Sequence, residues 1–207
     1  MLVPGLWAAA GERAVGVAGP VLILGDSLSA GYGISREDAW PRLLGQRMRE
    51  EGYRQSVVNA SISGETTAGG ARRLPALLEA HHPAVVVIAL GANDGLRGIG
   101  VDELERNLRD MIARSRAAGA TVVLVKVRIP PNYGPRYTDA FEGVYDALSA
   151  RGEVVPAPFL LERFATRNDA FQADGLHPVA AVQGDIVATV WPAIAAALDT
   201  ATETSVP

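Results

Sequence analysis

Four apolar runs stand out along the chain: Val21-Leu22-Ile23-Leu24, Val57-Val58, Ala84 to Leu90, and Thr121 to Val127. The longer ones are rich in β-branched residues and do not alternate with polar ones. That pattern suits strands buried on both faces, as in a parallel sheet covered by helices. Val154-Val155 is a weaker fifth candidate. Between the runs, apolar residues recur at helical spacing. Leu43, Leu44 and Met48 mark a helix over Trp40 to Glu51, and Leu74, Leu77 and Leu78 mark one over Thr67 to His81. Leu104, Leu108, Met111 and Ile112 mark a third over Asp102 to Ala118. Asp102 and Glu105 approximate a capping box at its start, and Gly119 stands where a helix-ending glycine is expected. Tyr137 to Ala150 and Val179 to Leu198 complete the set.

Strand alternating with helix predicts βαβ units, a parallel sheet and the α/β class. In such sheets ligands bind outside the carboxyl ends of the strands. Chemistry is therefore expected in Gly25–Gly33, Asn59–Gly70, Gly91–Gly100 and Arg128–Tyr137. No repeat or long linker divides the 207 residues. The reading is a single domain over residues 20–200, with an amino-terminal arm at 1–19 and a tail at 201–207. The arm is apolar from Leu2 to Ala10, which suits either a secretory-signal remnant or a plain terminal arm. No Lys or Arg precedes that stretch, and a signal peptide has a positive start.

Composition narrows the function classes. Net charge is −4 and basic residues form no stripe, which argues against nucleic acid and against a polybasic membrane patch. No apolar run approaches the roughly 18–20 residues needed to span a bilayer, so no stable membrane anchor is expected. The absence of cysteine excludes disulfides, a thiol nucleophile and thiolate metal sites.

Each expected segment carries a candidate with a competing structural reading. Gly25-Asp26-Ser27-Leu28-Ser29 puts a serine directly after a buried strand, where a substrate can reach it. Equally, Ser27 or Asp26 can simply cap a short helix. The segment lacks the Gly-Lys-Ser/Thr ending of a P-loop. It also lacks the second glycine of a Gly-x-Ser-x-Gly elbow, because position 29 is Ser. Gly64 lies near a helix start, where free N–H groups can bind an oxyanion; it also fits an ordinary turn. Asn93 offers an amide donor at a strand end, and asparagine is also a common turn former. In Asp174-Gly175-Leu176-His177-Pro178, the Asp can reach the His Nδ1–H and leave Nε2 free to accept a proton. Pro178 fits the first turn of the last helix. His81 and His82 sit at a helix end and receive no chemistry. Together the segments supply a nucleophile, an oriented base and oxyanion donors.

With these blocks in place the sequence resembles the SGNH (GDSL) hydrolase superfamily, from about Val21 to about Leu198. The four name-giving residues match as Ser27, Gly64, Asn93 and His177. Further phrases resemble its bacterial branch of multifunctional thioesterases, lysophospholipases and arylesterases. These are Leu24 to Tyr32, Val58 to Gly64, Arg73 to Leu78, Asn93 to Gly98, and Pro131 to Gly134. The resemblance implies a three-layer α/β/α, flavodoxin-like fold of about five parallel strands in the order 2-1-3-4-5. It implies a Ser27–His177–Asp174 triad and an oxyanion hole of Ser27 N–H, Gly64 N–H and the Asn93 amide. No metal or other cofactor is implied. The implied partner is a small acyl ester or thioester, and a monomer is expected. The implied location is the periplasm or outside the cell, with the cytoplasm as the alternative because the amino-terminal stretch does not make a complete signal peptide. Asp26, Leu28, Gly95, Leu96, Arg97, Ile99, Ile129 and Pro130 form the expected substrate-binding surface. Gly95, Gly98 and Gly100 suggest a mobile loop, with Leu96 and Ile99 closing over an acyl chain together with Ile129 and Pro130. In the opposing reading Leu96 and Ile99 pack permanently on the core. A carbohydrate O-acetylesterase, and a non-catalytic flavodoxin-like binding module, stand as alternatives.

Overall fold

A computed structural model describes residues 19–203. Most of the expected arm (1–18) and the last four residues of the expected tail (204–207) lie outside the described residues. Five strands form one parallel sheet: β1 (Val21–Gly25), β2 (Val57–Asn59), β3 (Val85–Ala89), β4 (Thr121–Val125) and β5 (Val155–Ala157). Their order is β2-β1-β3-β4-β5. Val21 aligns with Val57 on one side and with Val85 on the other, and Val85 in turn aligns with Thr121. The uninterrupted apolar runs have the cause inferred for them: every residue of β1 and β3 is buried. β5 falls slightly later than Val154-Val155 and contains Pro156. A proline is tolerated there because β5 is an edge strand.

Alternate strand residues face two cores. Val21, Ile23, Val85, Val87, Val123 and Val125 pack against α2 (Trp40–Glu50) and the last helix, α7 (Gln183–Glu203). Leu22, Leu24, Val86, Ile88, Val122 and Leu124 face α3 (Thr67–His81), α5 (Val101–Ala117) and α6 (Pro135–Ala150). Two very short helices sit at the carboxyl ends of central strands: α1 (Ser27–Ala30) after β1 and α4 (Ala92–Leu96) after β3. The result is the expected three-layer arrangement.

Three local expectations change. The capping box at Asp102 is not formed; Gly100 is the N-cap of α5 and makes no side-chain cap bond. Asp102 lies within the first turn, where its charge complements the helix dipole. At the other end Gly119 does terminate α5. Its φ is 83°, with Ala120 N–H donating to Ser115 O and Gly119 N–H to Arg116 O, the Schellman pattern. Pro178 does not open the last helix. It pairs with Phe171 in an isolated antiparallel bridge, and α7 begins only after a 3-10 turn at Ala180–Val182. Finally, Ala180–Thr202 is long and apolar enough to cross a membrane, contrary to the expectation of no such run. Its apolar residues have another use here. Ile186, Val190, Ile194, Ala197 and Leu198 are wholly or almost wholly buried in the core against the sheet.

Candidate active site

The first site residue follows from the end of β1. Asp26 caps α1, its Oδ1 accepting the Leu28 N–H at 3.0 Å. The capping reading is thus right for Asp26, and it leaves the Ser27 hydroxyl free for another partner. That partner is His177, whose Nε2 lies 2.8 Å from Ser27 Oγ although 150 residues separate them in sequence. His177 Nδ1 lies 2.8 Å from Asp174 Oδ2. Asp174 Oδ1 accepts the backbone N–H groups of Leu176 and His177, at 2.9 and 3.0 Å. Those two backbone bonds, and then the His177 ring, hold the Asp174 carboxyl down at about 2. It is ionised at neutral pH.

A latch that the sequence did not reveal holds this loop in place. Gln172 N–H donates to His177 O at 2.8 Å. The Gln172 side-chain amide donates to Tyr32 O at 2.8 Å and to Pro178 O at 3.2 Å. The Tyr32 ring lies 4.5 Å from the His177 ring, centroid to centroid. The histidine loop is therefore fastened to the turn that follows α1.

Gly64 and Asn93 converge from two other strand ends. Gly64 has a φ of 79°, which favours glycine. Among the described residues the N–H groups of Ser27 and Gly64 have no hydrogen-bond partner. Asn93 Nδ2 donates to Glu65 O at 3.0 Å, and its contact to Asp26 Oδ2 is longer, at 3.4 Å. Glu65 is itself paired with Arg73, whose other guanidinium nitrogen donates to Ala60 O at 2.7 Å. Asp94 is fully buried and accepts from the Thr67 N–H and hydroxyl. Burial pushes its carboxyl up, and the Thr67 bonds only partly offset this.

The expected substrate surface divides. Leu96 is 41% exposed, Arg97 and Pro130 are exposed, and Ile99 is half-buried. Gly95 and Ile129 are corrected to core positions. Gly95 lies in α4, and a Cβ there would come within 2.4 Å of Ile129 Cγ2. The glycine serves close packing, not loop mobility. Asp26 is also corrected: it is buried and engaged as a cap, so it lines no open surface. Leu28 is half-buried and packs against the core. The segment 96–99 is pinned, since Arg97 Nη2 donates to Gly64 O at 2.9 Å. Tyr133 Oη donates to Leu96 O at 3.0 Å and Tyr137 Oη to Ile99 O at 2.7 Å. Beside it lies an apolar recess of about 490 Å³, lined among others by Val101, Tyr133, Pro135 and Tyr137. No group of His, Asp and Glu suited to a metal ion occurs among the described residues.

The model of the GDSL-like lipase/acylhydrolase family matches residues 23–183, most of the described chain. The chain belongs to this family. Among relatives of this GDSL hydrolase, the esterase TesA of Pseudomonas aeruginosa is 48% identical over 84% of the chain and 87% of its own length. Thioesterase 1/protease 1/lysophospholipase L1 of Escherichia coli is 46% identical, over 76% of the chain and 74% of its own length. The crystal structure of the psychrotrophic esterase EstA from Pseudoalteromonas superposes with a TM-score of 0.83 at 41% identity. It covers 87% of this chain and 99% of that one. The GDSL block itself is the segment Gly25-Asp26-Ser27-Leu28 at the end of β1.

Proposed function

We propose that this GDSL hydrolase cleaves carboxylic esters and thioesters of small acyl substrates through an acyl-enzyme on Ser27. The observation that carries the reading is the unbroken chain Ser27 Oγ, His177 Nε2, His177 Nδ1, Asp174 Oδ2, with both links at 2.8 Å. A non-catalytic binding module gives no reason for that alignment. His177 Nε2 takes the Ser27 proton as Oγ attacks the acyl carbonyl carbon. Asp174 stays ionised, fixes the tautomer and stabilises the imidazolium. The oxyanion is received by the free N–H groups of Ser27 and Gly64 and by the Asn93 amide. The bond to Glu65 O fixes the plane of that amide, and its loosely engaged second N–H is the one offered. The carbon–oxygen or carbon–sulfur bond then breaks, and His177 returns the proton to the departing alcohol or thiol. Water, deprotonated by the same imidazole, attacks the acyl-enzyme and releases the acid. Leu96, Ile99 and Pro130 border the acyl chain in this reading. The names of the relatives support esters and thioesters as the substrate class. A periplasmic or extracellular location belongs to the same proposal, and cell fractionation tests it.

The test combines p-nitrophenyl esters of graded chain length with Ser27→Ala. The substitution lowers kcat by on the order of a million-fold, as loss of a triad nucleophile does. It also abolishes labelling by a fluorophosphonate. A variant keeping a tenth of wild-type turnover excludes Ser27 as nucleophile. Turnover confined to acetyl groups favours the O-acetylesterase reading.

A further inference from the structure

Two of the oxyanion donors proposed above arrive on separate segments. Gly64 precedes α3 and Asn93 lies in α4, so chain connectivity does not set the gap between them. Three contacts span it. Arg97 holds Gly64 O, the Asn93 amide holds Glu65 O, and Asp94 holds Thr67. Only the third is wholly shielded from water: Asp94 and Thr67 are both 0% exposed. Asp94 Oδ2 accepts the Thr67 N–H at 2.9 Å, and Oδ1 accepts the Thr67 hydroxyl. Asn107 Nδ2, from α5, donates to Thr67 Oγ1 at 3.1 Å, which turns the hydroxyl proton toward Asp94. Thr67 is the first residue of α3, so its N–H has no partner within the helix. A carboxylate at that end is further favoured by the helix dipole.

We propose that Asp94 is a positioning residue for the oxyanion hole. By clamping the first turn of α3 onto α4 it sets the separation between the Gly64 N–H and the Asn93 amide. This inference rests on the esterase reading. The Asp94 carboxylate touches no reacting atom. It acts through Thr67, three residues beyond Gly64, and through its own backbone link to Asn93. A displacement of about 1 Å in such a constellation costs on the order of a hundredfold in rate.

The test uses the full chain and the variants Asp94→Ala, Thr67→Val, Thr67→Ser and Asn93→Ala. Hydrolysis of p-nitrophenyl butyrate gives kcat and KM. The second readout is the ratio of inhibition constants for an alkyl methyl ketone and the matching trifluoromethyl ketone. The trifluoromethyl ketone adds Ser27 Oγ and becomes a tetrahedral oxyanion, whereas the methyl ketone stays a carbonyl. Asp94→Ala lowers kcat about a hundredfold, leaves KM within about threefold, and shrinks the ketone ratio in parallel. Thr67→Val, which keeps the N–H bond to Asp94 and loses the hydroxyl's bonds to Asp94 and Asn107, moves both readouts the same way by roughly tenfold. Thr67→Ser keeps both bonds and restores the ratio. If Asp94→Ala does not fold, the two Thr67 variants decide by the same ratio. The proposal is overturned if the variants lose thermal stability or kcat but keep the wild-type ratio, or if neither readout moves. Failure of the underlying reading is visible separately, because Asn93→Ala then also leaves the ratio unchanged.

Discussion

Asp26 shows how one side chain joins folding to the site. Its carboxyl caps α1 and is almost wholly buried, and burial pushes its pKa from the ordinary 3.8 up to about 6. The Leu28 N–H and the charge of His177 pull the other way, and Asp94 adds to the rise. A raised carboxyl means that the folded chain binds the proton more tightly than the unfolded one. The stability from that proton is fully present below 3.8 and is lost as pH rises through about 6. The full difference corresponds to on the order of 3 kcal/mol. Comparison with Asp26→Asn, which cannot titrate, isolates this contribution. Wild-type Tm minus variant Tm is expected to fall by several degrees from pH 4 to pH 6. A constant difference across that window means that Asp26 does not titrate there. Asp174 acts with the opposite sign. Its lowered pKa contributes stability that is present above 3.8 and lost as pH falls toward about 2. Ser27, Asp174 and His177 were legible in the sequence as candidates, and Asp26 only as a helix cap. Asp26, Asp174 and His177 each lie within three residues of the partner that defines them, whereas the long-range contact of Ser27 with His177 was supplied by family resemblance.

At the scale of elements the segment from α4 into α5 departs furthest from its sequence pattern. Its glycines suggested mobility, yet each has a different use. Gly95 admits Ile129, Gly98 adopts a φ of 65°, and Gly100 is the N-cap of α5. The segment is fastened by Tyr133, Tyr137 and Arg97. A pinned segment can still line an acyl groove, and Leu96 is the apolar side chain it leaves outermost. Leu96→Ser is expected to lower kcat/KM on p-nitrophenyl decanoate by about five- to tenfold, with the acetate within about twofold. Because Leu96 is exposed, stability shifts by less than about 0.5 kcal/mol. Equal losses on both esters, with a lowered Tm, return Leu96 to a packing role. The hydrogen bonds that fasten this segment were not legible. They join residues more than 30 positions apart, and no periodicity encodes them.

The whole molecule is held by two cores on opposite faces of one sheet, and β1 contributes to both. Leu22 is the second residue of β1, fully buried and flanked by Val58 and Val86. Leu22→Ala is expected to cost about 2–5 kcal/mol, the range for a large-to-small change at a site that cannot collapse. That lowers Tm by on the order of 10 °C in a domain of this size. KM and the ketone ratio stay at wild-type values below the midpoint, because Leu22 lies three residues before the carboxyl end of β1 and faces the core, not the site. A loss under about 1 kcal/mol in a denaturant titration contradicts a tightly packed core at that position.

What the sequence alone determined is local or periodic. Uninterrupted β-branched runs specified buried parallel strands, helical spacing specified the covering layers, and Gly119 specified where α5 ends. The family blocks named Ser27, Gly64, Asn93, Asp174 and His177. What only the tertiary structure decided is which distant groups meet. The Gln172 latch on Tyr32, the Asp94 clamp on Thr67, and the packing of Ile129 on Gly95 each join segments from different strand ends. The physical reason is that burial patterns depend on one element's own period, whereas these contacts depend on the order and register of strands. β1, β2 and β3 come from distant parts of the chain. Their adjacency in the sheet brings the ends of three loops to within hydrogen-bond distance.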